Sequence, residues 1–318
     1  MRALVTGGCG FVGSHMVRVL RARGDEVVVL DDLSTGHRDA VPADVPVEIL
    51  KLGRDGDAID ALLARVQPEV TFHFAGVSQV GESMRVPAKY WQENVVGSLM
   101  LVNALMRAGC TKLVFSSTAA VYGNPTEGTL IETHRTAPVN PYGHSKLAVE
   151  TLLRDHAPLG LRSLALRYFN AAGASFGLRE RHDPETHLCP LIADVALGVR
   201  EQITVFGTDY DTHDGTAVRD YVHVEDLIDA HVRAADYLAQ RPGAHAMNLG
   251  TGTGYSVREV IGAFEVAAGA PIRTELGARR DGDPPSLVAS AARAQRELGW
   301  SARHDLTTIA ADVLASRR

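Results

Sequence analysis

Cysteine is scarce in this sequence, and long apolar runs are missing. The three cysteines, Cys9, Cys110 and Cys189, are odd in number and far apart, which excludes a disulfide framework. No stretch approaches the roughly 18 consecutive apolar residues that a membrane-spanning helix needs. The first residues reach glycine too soon for the apolar core of a signal peptide. We therefore expect a cytoplasmic protein without a membrane partner.

An excess of basic residues is missing as well. The 318 residues contain 32 Lys and Arg against 38 Asp and Glu, for a net charge of -6. Non-specific binding of nucleic acid needs clustered positive charge, so we expect no nucleic-acid partner. With 45% hydrophobic and 22% charged residues, the chain has the composition of a globular protein of one large or two smaller domains.

Short β-rich runs alternate with helical segments in the first half of the chain. The pattern predicts strands at residues 3–6, 26–30, 70–73, 112–116 and 162–167. It predicts helices at residues 11–23, 87–107, from 141 onward, 188–200, 224–239 and 257–268. Such alternation predicts an α/β fold with a Rossmann-like, doubly wound parallel sheet. We expect this first domain at residues 1–168 and a smaller C-terminal α/β substrate-binding domain at residues 169–318, interleaved with it.

The stretch from Val5 to Gly13 is the most informative in the chain. It places Gly7, Gly10 and Gly13 between a predicted strand and a predicted helix, the context of a dinucleotide-binding loop. There the glycines allow a tight turn and close packing, and the helix N-terminus binds a pyrophosphate. Asp31 follows about 20 residues later, where a carboxylate accepts ribose hydroxyls and repels a 2′-phosphate. The predicted cofactor is therefore NAD.

A second group of residues indicates alcohol–ketone chemistry. Tyr142 and Lys146 are four residues apart on one predicted helix, so their side chains share a face. Ser116 and Thr118 lie at the carboxyl end of a predicted parallel strand, the edge where open α/β sheets bind ligands. An isolated Tyr–Lys pair would more simply be a surface contact. Together with the hydroxyls and the dinucleotide loop, it predicts a hydride-transfer site.

Tyr142 is the predicted base of this site. A base that works near neutrality needs the pKa of tyrosine lowered from about 10 to about 7, which costs roughly 4 kcal/mol. A cation about 5 Å away at an effective dielectric constant of about 20 contributes roughly 3 kcal/mol. We therefore expect Lys146 to supply most of the shift.

These residues resemble the extended short-chain dehydrogenase/reductase family, and the resemblance runs almost from end to end. Further matching segments are residues 73–76 (HFAG), 94–97 (NVVG), 116–123 (SSTAAVYG), 167–170 (RYFN), 214–227 (DGTAVRDYVHVEDL) and 279–283 (RRDGD). The run at 214–227 is typical of the members that epimerise UDP-hexoses. The related dehydratases carry an Asp-Glu pair where this chain has Ala119 and Ala120, so dehydration is disfavoured.

The resemblance implies a role for each matching residue. Tyr142 would be the base on the sugar 4-hydroxyl, Thr118 would hydrogen-bond that oxygen, and Lys146 would complete the catalytic group. The implied NAD contacts are Gly7, Gly10, Phe11, Val12, Gly13, Asp31, Asp32, Phe74, Ala75, Asn94, Ser116, Tyr142, Lys146 and Tyr168. The implied UDP-sugar contacts are Thr118, Tyr142, Asn170, His187, Leu188, Phe206, Arg219, Arg280, Asp283 and Leu287. A guanidinium suits phosphate because it grips two oxygens in a fork.

Three positions depart from the family pattern. Leu52 stands where an aspartate usually contacts adenine, and Asp55 and Asp57 are the candidates to replace it. Ser78 stands where some epimerases have a lysine, and His187 where others have an asparagine near the diphosphate. None of these changes touches the hydride-transfer residues.

The sequence predicts no metal site. His187 and Cys189 lack partner ligands at zinc spacing. The acidic run at residues 209–215 lacks the terminal glutamate of a calcium loop. His223 and His231 are expected along a helix with their polar edges in solvent.

The leading hypothesis is NAD-dependent interconversion of UDP-galactose and UDP-glucose by a homodimeric enzyme. Hydride leaves C4 for the nicotinamide, the 4-keto sugar rotates, and hydride returns to its other face. Epimerisation of another UDP-sugar, such as an N-acetylhexosamine, a uronic acid or a pentose, is the first alternative. A catalytically silent NAD-sensing regulator is the second, and it is less favoured because a sensor needs only the glycine loop.

Overall fold

The computed structural model describes residues 1–125, 128–280 and 282–318. Its strands are β1 (Arg2–Thr6), β2 (Glu26–Asp31), β3 (Val47–Ile49), β4 (Val70–His73), β5 (Lys112–Thr118), β6 (Thr129–Leu130), β7 (Arg162–Tyr168), β8 (Asn170–Ala172), β9 (Ile203–Phe206), β10 (Val218–Arg219), β11 (Tyr221–His223), β12 (Ala244–Leu249), β13 (Tyr255–Ser256), β14 (Thr274–Gly277) and β15 (Ser286–Ala289). The five strands predicted from the sequence are confirmed, with small shifts at their ends. Asp281, in the motif at 279–283, lies outside the described residues.

The helices alternate with these strands in the first half of the chain. They are α1 (Phe11–Ala22), α2 (Gly56–Val66), α3 (Val80–Arg85), α4 (Pro87–Tyr90), α5 (Gly97–Arg107), α6 (Pro141–His156), α7 (Leu188–Ala196), α8 (Val224–Gln240), α9 (Val257–Ala268), α10 (Ala292–Leu298) and α11 (Leu306–Ala315). None of these helices is both long and apolar enough to cross a bilayer.

The chain forms two compact units. The first consists of Met1–Val121, Pro138–Arg167 and Ile228–Met247. The second consists of Tyr122–Ala137, Tyr168–Leu227 and Asn248–Arg318.

A seven-stranded sheet carries the first unit, in the order β12-β7-β5-β4-β1-β2-β3. The pairs β3–β2, β2–β1, β1–β4 and β4–β5 are parallel. Strands β1, β4 and β5 are buried over nearly their whole length, as expected for apolar strands covered on both faces. Because strand order reverses at β1, ligands are expected at the carboxyl ends of β1 and its neighbours. The predicted Rossmann-like fold is confirmed.

The single helix predicted over residues 87–107 is wrong in its middle. α4 ends at Tyr90, a π-helical segment occupies Trp91–Val96, and α5 begins at Gly97. A π-helical turn adds a residue to the helical register and is frequent at functional sites. Here the segment contains Asn94, whose side chain is buried. Apolar periodicity cannot reveal such a change, since the residues on both sides remain helical.

Short sheets and several helices make up the second unit. The sheets have the orders β13-β10-β15-β6, β11-β8 and β14-β9. Helices α7, α9 and α11 share a core that includes Ile192, Phe264 and Ile309. A capping box begins α9, since Ser256 and Glu259 bond each other's backbone N–H. α7 ends earlier than predicted, at Ala196.

The histidines of the 223–231 stretch are not solvated, so that prediction is wrong. His223 is 1% exposed at the end of β11, and His231 is 0% exposed within α8. The His231 ring lies 4.8 Å from the ring of Phe74, centroid to centroid. α8 therefore places this part of its polar sequence inside the protein.

Candidate active site

The loop after β1 has no room for side chains at two of its glycines. Gly7 has a φ of +69°, and a Cβ there would lie 2.6 Å from the backbone nitrogen of Ala75. A Cβ on Gly13 would lie 2.1 Å from the carbonyl oxygen of Gly7. Phe74 and Ala75 close the loop from the other side, because their N–H groups both bond the carbonyl of Thr6. The predicted glycine loop thus forms a cradle of bare backbone.

The N-terminus of α1 opens onto this cradle. Gly10 is the N-cap residue, no side chain caps the helix, and its first turn holds no acidic residue. The N–H groups at Phe11 and Val12 therefore have no acceptor within the helix or from a capping side chain. Backbone donors and a positive helix end are what a pyrophosphate needs. The residues present thus fit the diphosphate of NAD.

Asp31 ends β2 beside the glycine loop. Its carboxylate accepts the N–H of Cys9 at 2.9 Å and that of Leu33 at 2.8 Å. Burial raises the pKa of Asp31, and the two backbone hydrogen bonds oppose that rise. Each carboxylate oxygen keeps a second lone pair, so ribose hydroxyls can still donate to it. The neighbouring Asp32 is bound by Ser34 and lies 3.7 Å from the ammonium of Lys51.

The segment at the expected adenine contact has other roles in the structure. Leu52 is 8% exposed and belongs to the hydrophobic core of the first unit. Asp55 accepts the N–H of Lys51 at 2.8 Å and pairs with Arg54, which lowers the pKa of its carboxyl to about 2. Asp57 lies exposed in the first turn of α2. A replacement for the adenine-binding aspartate therefore stays a prediction.

Asn94 holds the loop after β4 to helix α6. Its side chain accepts the N–H of Val77 at 2.8 Å and donates to the carbonyl of Val77 at 3.0 Å. It also donates to the hydroxyl of Ser145 at 2.9 Å. In the same loop, Gly76 approaches Asn94 so closely that a Cβ would lie 2.7 Å from its side-chain oxygen. Asn94 thus fixes the backbone that follows Phe74 and Ala75.

The carboxyl end of β5 meets the N-terminal part of α6. Asn140 caps this helix by accepting the N–H of Gly143 at 2.8 Å. The side chain of Thr118 lies near enough to Tyr142 to oppose the rise that burial causes in the pKa of its phenol. The ammonium of Lys146 donates to the carbonyl of Ser116 at 2.9 Å. The structure therefore brings together the four residues predicted for hydride transfer.

Arg219 and Asp283 are brought together in the second unit. The guanidinium of Arg219 pairs with the carboxylate of Asp283 and donates to the carbonyls of Val218 at 2.6 Å and Pro284 at 2.7 Å. Leu287 is the β15 partner of Arg219 in the parallel pairing with β10. Three predicted substrate residues therefore meet where β10 and β15 run side by side.

The other predicted substrate residues of this unit lie at strand and helix ends. Arg280 stacks over the ring of Phe206, 4.2 Å from its centroid, at the end of β9. Asn170 begins β8 and donates its N–H to the carbonyl of Asp220. His187 is the N-cap residue of α7, and Leu188 is its first residue. Tyr168, predicted for NAD, is the last residue of β7.

Comparison with known proteins places the whole chain in one family. A model of the NAD dependent epimerase/dehydratase family matches residues 3–250. The UDP-glucose 4-epimerase of Rhizobium meliloti (strain 1021) is 49% identical over 311 residues, which cover 96% of this chain and 94% of that protein. The chain belongs to the NAD dependent epimerase/dehydratase family.

Solved structures of the epimerase/dehydratase family share its fold. UDP-glucose 4-epimerase from Stenotrophomonas maltophila, with bound NAD and formylated UDP-arabinopyranose, is 40% identical and superposes with a TM-score of 0.95 over 100% of this chain and 98% of that one. The enzyme from Bifidobacterium longum, in complex with NAD+ and UDP, is 37% identical with a TM-score of 0.95 over 99% of this chain and 97% of that one.

The electrostatics of Tyr142 differ from the prediction for this family member. Burial raises the pKa of Tyr142, and the nearby hydroxyl of Thr118 offsets only part of that rise. Lys146 is itself buried, which lowers the pKa of its ammonium to about 8. Its hydrogen bonding is directed to Ser116, and it lies 4.9 Å from the ring of Phe115. The prediction that Lys146 supplies most of a downward shift is therefore wrong for this structure.

A buried ion pair that the sequence does not predict lies next to these residues. The carboxylate of Glu150 pairs with Arg167 at 2.6 Å and accepts the hydroxyl of Ser117 at 2.6 Å. These residues lie on α6, β7 and β5, so the pair fixes the strand that carries Thr118. An arginine inside an apolar strand pattern was the only available signal, and it does not identify its partner.

Proposed function

We propose that the protein is an NAD-dependent 4-epimerase that interconverts UDP-galactose and UDP-glucose. The observation that carries the proposal is the grouping of Thr118 at the carboxyl end of β5 with Tyr142 and Lys146 of α6, where Lys146 bonds the Ser116 carbonyl. Hydroxyls at this edge of a parallel sheet suit a secondary alcohol as reactant. The names of the relatives and the ligands of the solved family members support the same activity.

In the proposed reaction, Tyr142 takes the proton of the sugar 4-hydroxyl and later returns it. Bound NAD supplies a hydride acceptor that is regenerated within each turnover. Thr118, close to Tyr142, is the proposed hydrogen-bond partner of the sugar 4-oxygen. The ammonium of Lys146 is the proposed partner of ribose hydroxyls of the cofactor. Ala119 and Ala120 offer no acid–base group, which fits epimerisation without loss of water.

The second unit supplies the proposed contacts to the nucleotide. Arg219 and Arg280 are the donors for the diphosphate, since a guanidinium bonds two phosphate oxygens at once. Arg219 is held by the carboxylate of Asp283, so a phosphate would compete with that carboxylate. Asp283 is then available for ribose hydroxyls. The remaining proposed contacts to the UDP-sugar come from Phe206, Asn170, His187, Leu188 and Leu287.

The decisive experiment is incubation of the purified protein with UDP-galactose, with separation of the two nucleotide sugars. We expect UDP-glucose to form without added NAD, and absorbance in the NADH band to stay below one equivalent per chain. Stoichiometric release of NADH would indicate an ordinary dehydrogenase. Bound NAD without any conversion of UDP-sugars would favour a silent NAD sensor.

A homodimer in the cytoplasm is part of the proposal. Cys9, Cys110 and Cys189 are all buried and free, and unpaired thiols are typical of a reducing compartment. Light scattering on the eluting protein would measure its mass. A mass equal to one chain at working concentration would contradict the dimer.

A further inference from the structure

Four potential metal ligands converge in the segment before α7. Glu180, His182, Glu185 and His187 each offer one ligand atom, and these atoms all lie within 4.8 Å of one another. The sequence predicted that His187 lacks partners at zinc spacing, and the structure shows that prediction to be wrong. The motif Glu-x-His-x-x-Glu-x-His becomes a single cluster because the chain turns back on itself before the helix begins.

Four of the six separations within the cluster lie near the edge length of a tetrahedral zinc site. The Nδ1 atom of His187 lies 2.9 Å from Glu180 Oε1 and 3.4 Å from Glu185 Oε1. The Nδ1 atom of His182 lies 3.2 and 3.9 Å from the same two oxygens. Zinc bonds of about 2.0–2.2 Å give ligand-to-ligand distances of about 3.3–3.5 Å. Two of the four distances are shorter than this range, one lies within it and one is longer.

The two imidazoles aim their Nδ1 atoms inward without forming hydrogen bonds. Both nitrogens are buried, and neither makes a hydrogen bond of acceptable geometry despite the nearby carboxylates. His187 is 40% exposed as a side chain, so its ring keeps the other edge outward and this nitrogen inside. A buried nitrogen that lacks a well-aligned hydrogen bond is costly, and a shared cation would bind both nitrogens at once.

The surroundings supply charge and support for a divalent cation. The side chains of Glu180 and Glu185 are 10% and 12% exposed, and two carboxylates with two neutral imidazoles balance one divalent charge. The N–H groups of Thr186 and His187 donate to Glu185 Oε1 at 2.8 and 3.0 Å, which orients that carboxylate. Arg317 donates to the carbonyl of Glu180 at 3.1 Å. Such outer contacts are what holds metal ligands in place.

A second histidine cluster in the same unit lacks these properties. Nδ1 of His223 accepts the N–H of Glu225 at 3.1 Å, and its Nε2 bonds Asp312 at 3.1 Å. Both nitrogens of that ring are therefore engaged, so the ring has no free lone pair for a metal. The cluster before α7 is the better candidate.

We propose that Glu180, His182, Glu185 and His187 bind one zinc ion that fixes the segment leading into α7. A closed set of four nitrogen and oxygen ligands is typical of structural zinc, which needs no open position. The competing explanation is a metal-free ion-pair network. In such a network burial opposes the charge of His187, but Glu180 and Glu185 outweigh it and raise the pKa of its imidazole to about 10.

The test uses the full-length, tag-free protein and zinc alone as the probe. We expect about one equivalent of zinc per chain by elemental analysis, and competition with a coloured chelator should give its affinity. His182→Gln and, separately, Glu180→Gln should weaken binding by at least about 100-fold, since loss of an outer contact alone costs 10- to 100-fold. Cobalt in place of zinc should give the intense visible absorption of a four-coordinate site.

His213→Gln is the matched control for this test. His213 also faces two carboxylates, those of Asp214 at 4.0 Å and Glu259 at 3.4 Å, but its side chain is 56% exposed. The His213→Gln variant should bind zinc like the unchanged protein. Zinc should raise the melting temperature of these two proteins but not that of His182→Gln. Absence of stoichiometric zinc binding, or equal affinity in His182→Gln and His213→Gln, would overturn the proposal.

Discussion

The two units each hold an arginine–carboxylate pair, and the pairs differ in their exposure. In the first unit the side chains of Arg167 and Glu150 are 8% and 6% exposed. In the second unit those of Arg219 and Asp283 are 11% and 31% exposed. A fully enclosed pair fixes structure and cannot change partners without a large desolvation cost. A pair with an exposed carboxylate can exchange it for another anion.

This difference fits the separate tasks proposed for the two units. The first unit must hold Thr118, Tyr142 and Lys146 in one geometry throughout turnover, because hydride transfer tolerates little displacement. Glu150 supports that geometry through Ser117 on β5. Under the proposed function the second unit binds and releases a nucleotide, so its arginine needs a partner that phosphate can displace. Under that proposal, similar ion pairs serve rigidity in one unit and exchange in the other.

The largest expected effect is on the buried pair. Glu150→Gln should lower the free energy of unfolding by about 3–5 kcal/mol, because it removes one charge of a buried ion pair. Asp283→Asn should cost about 1 kcal/mol or less, since its carboxylate is partly exposed and Arg219 keeps two carbonyl partners. Denaturant titration of both variants measures the difference. Equal losses would remove the contrast between the units.

The next effect concerns the base of the first unit. Tyr142→Phe should leave NAD bound but lower kcat by at least about 100-fold, as expected for loss of a positioned base. NAD retention is checked by the absorbance of denatured, protein-free extracts. Near-normal turnover in this variant would remove Tyr142 from the mechanism.

The same contrast explains what the sequence could predict. The glycine loop, Asp31 and the Tyr142–Lys146 spacing are local patterns next to strands and helices that periodicity identifies. The partners of Glu150 and Arg219, and the pairing of β10 with β15, join residues far apart in the chain. Local propensity carries no information on such pairings. The cluster at Glu180–His187 was overlooked although it is local, because irregular loops have no periodicity from which to infer convergence.

A histidine at the end of β4 gives the first unit a sensitivity to acid. Nδ1 of His73 lies at hydrogen-bond distance, 2.7 Å, from the hydroxyl of Thr6. Its Nε2 lies 2.8 Å from the hydroxyl of Ser98. Burial, with a smaller effect of Lys146, lowers the pKa of His73 to about 3 from a usual 6.5. Below about pH 6.5 the unfolded chain therefore binds a proton that the folded chain excludes. Stability falls as pH decreases through this window, and it is fully retained above it.

His73→Gln should remove this part of the acid response while keeping an amide for both hydroxyls. The unchanged protein should lose about 2 kcal/mol more than the variant between pH 7 and pH 5. Other titrating groups are shared by the two proteins and cancel in this difference. His144→Gln, at an exposed position of α6, is the control and should follow the unchanged protein. A constant gap between His73→Gln and the unchanged protein across this range would contradict the assignment.

The smallest effect concerns sugar selection in the second unit. Leu287 is 9% exposed in β15, and its carbonyl accepts the N–H of Asp220 at 3.2 Å, so substitutions there act through the side chain. The resemblance to the family implies that this position lies beside the 2-substituent of the sugar. An acetamido group needs space and a hydrogen-bond partner, and an unsatisfied amide costs about 1–3 kcal/mol. Leucine provides some space but no such partner.

We therefore expect kcat/KM for UDP-GlcNAc to be about 10- to 100-fold below that for UDP-galactose, a penalty of about 1.4–2.7 kcal/mol. Leu287→Tyr should abolish the weak activity and spare the main one, because a larger ring fills the space. Leu287→Met, which conserves volume, is the control and should keep both activities. Equal kcat/KM for the two sugars in the unchanged protein would show that Leu287 does not limit the pocket. Sugar choice would then have to be assigned to other residues than the strand partner of Arg219.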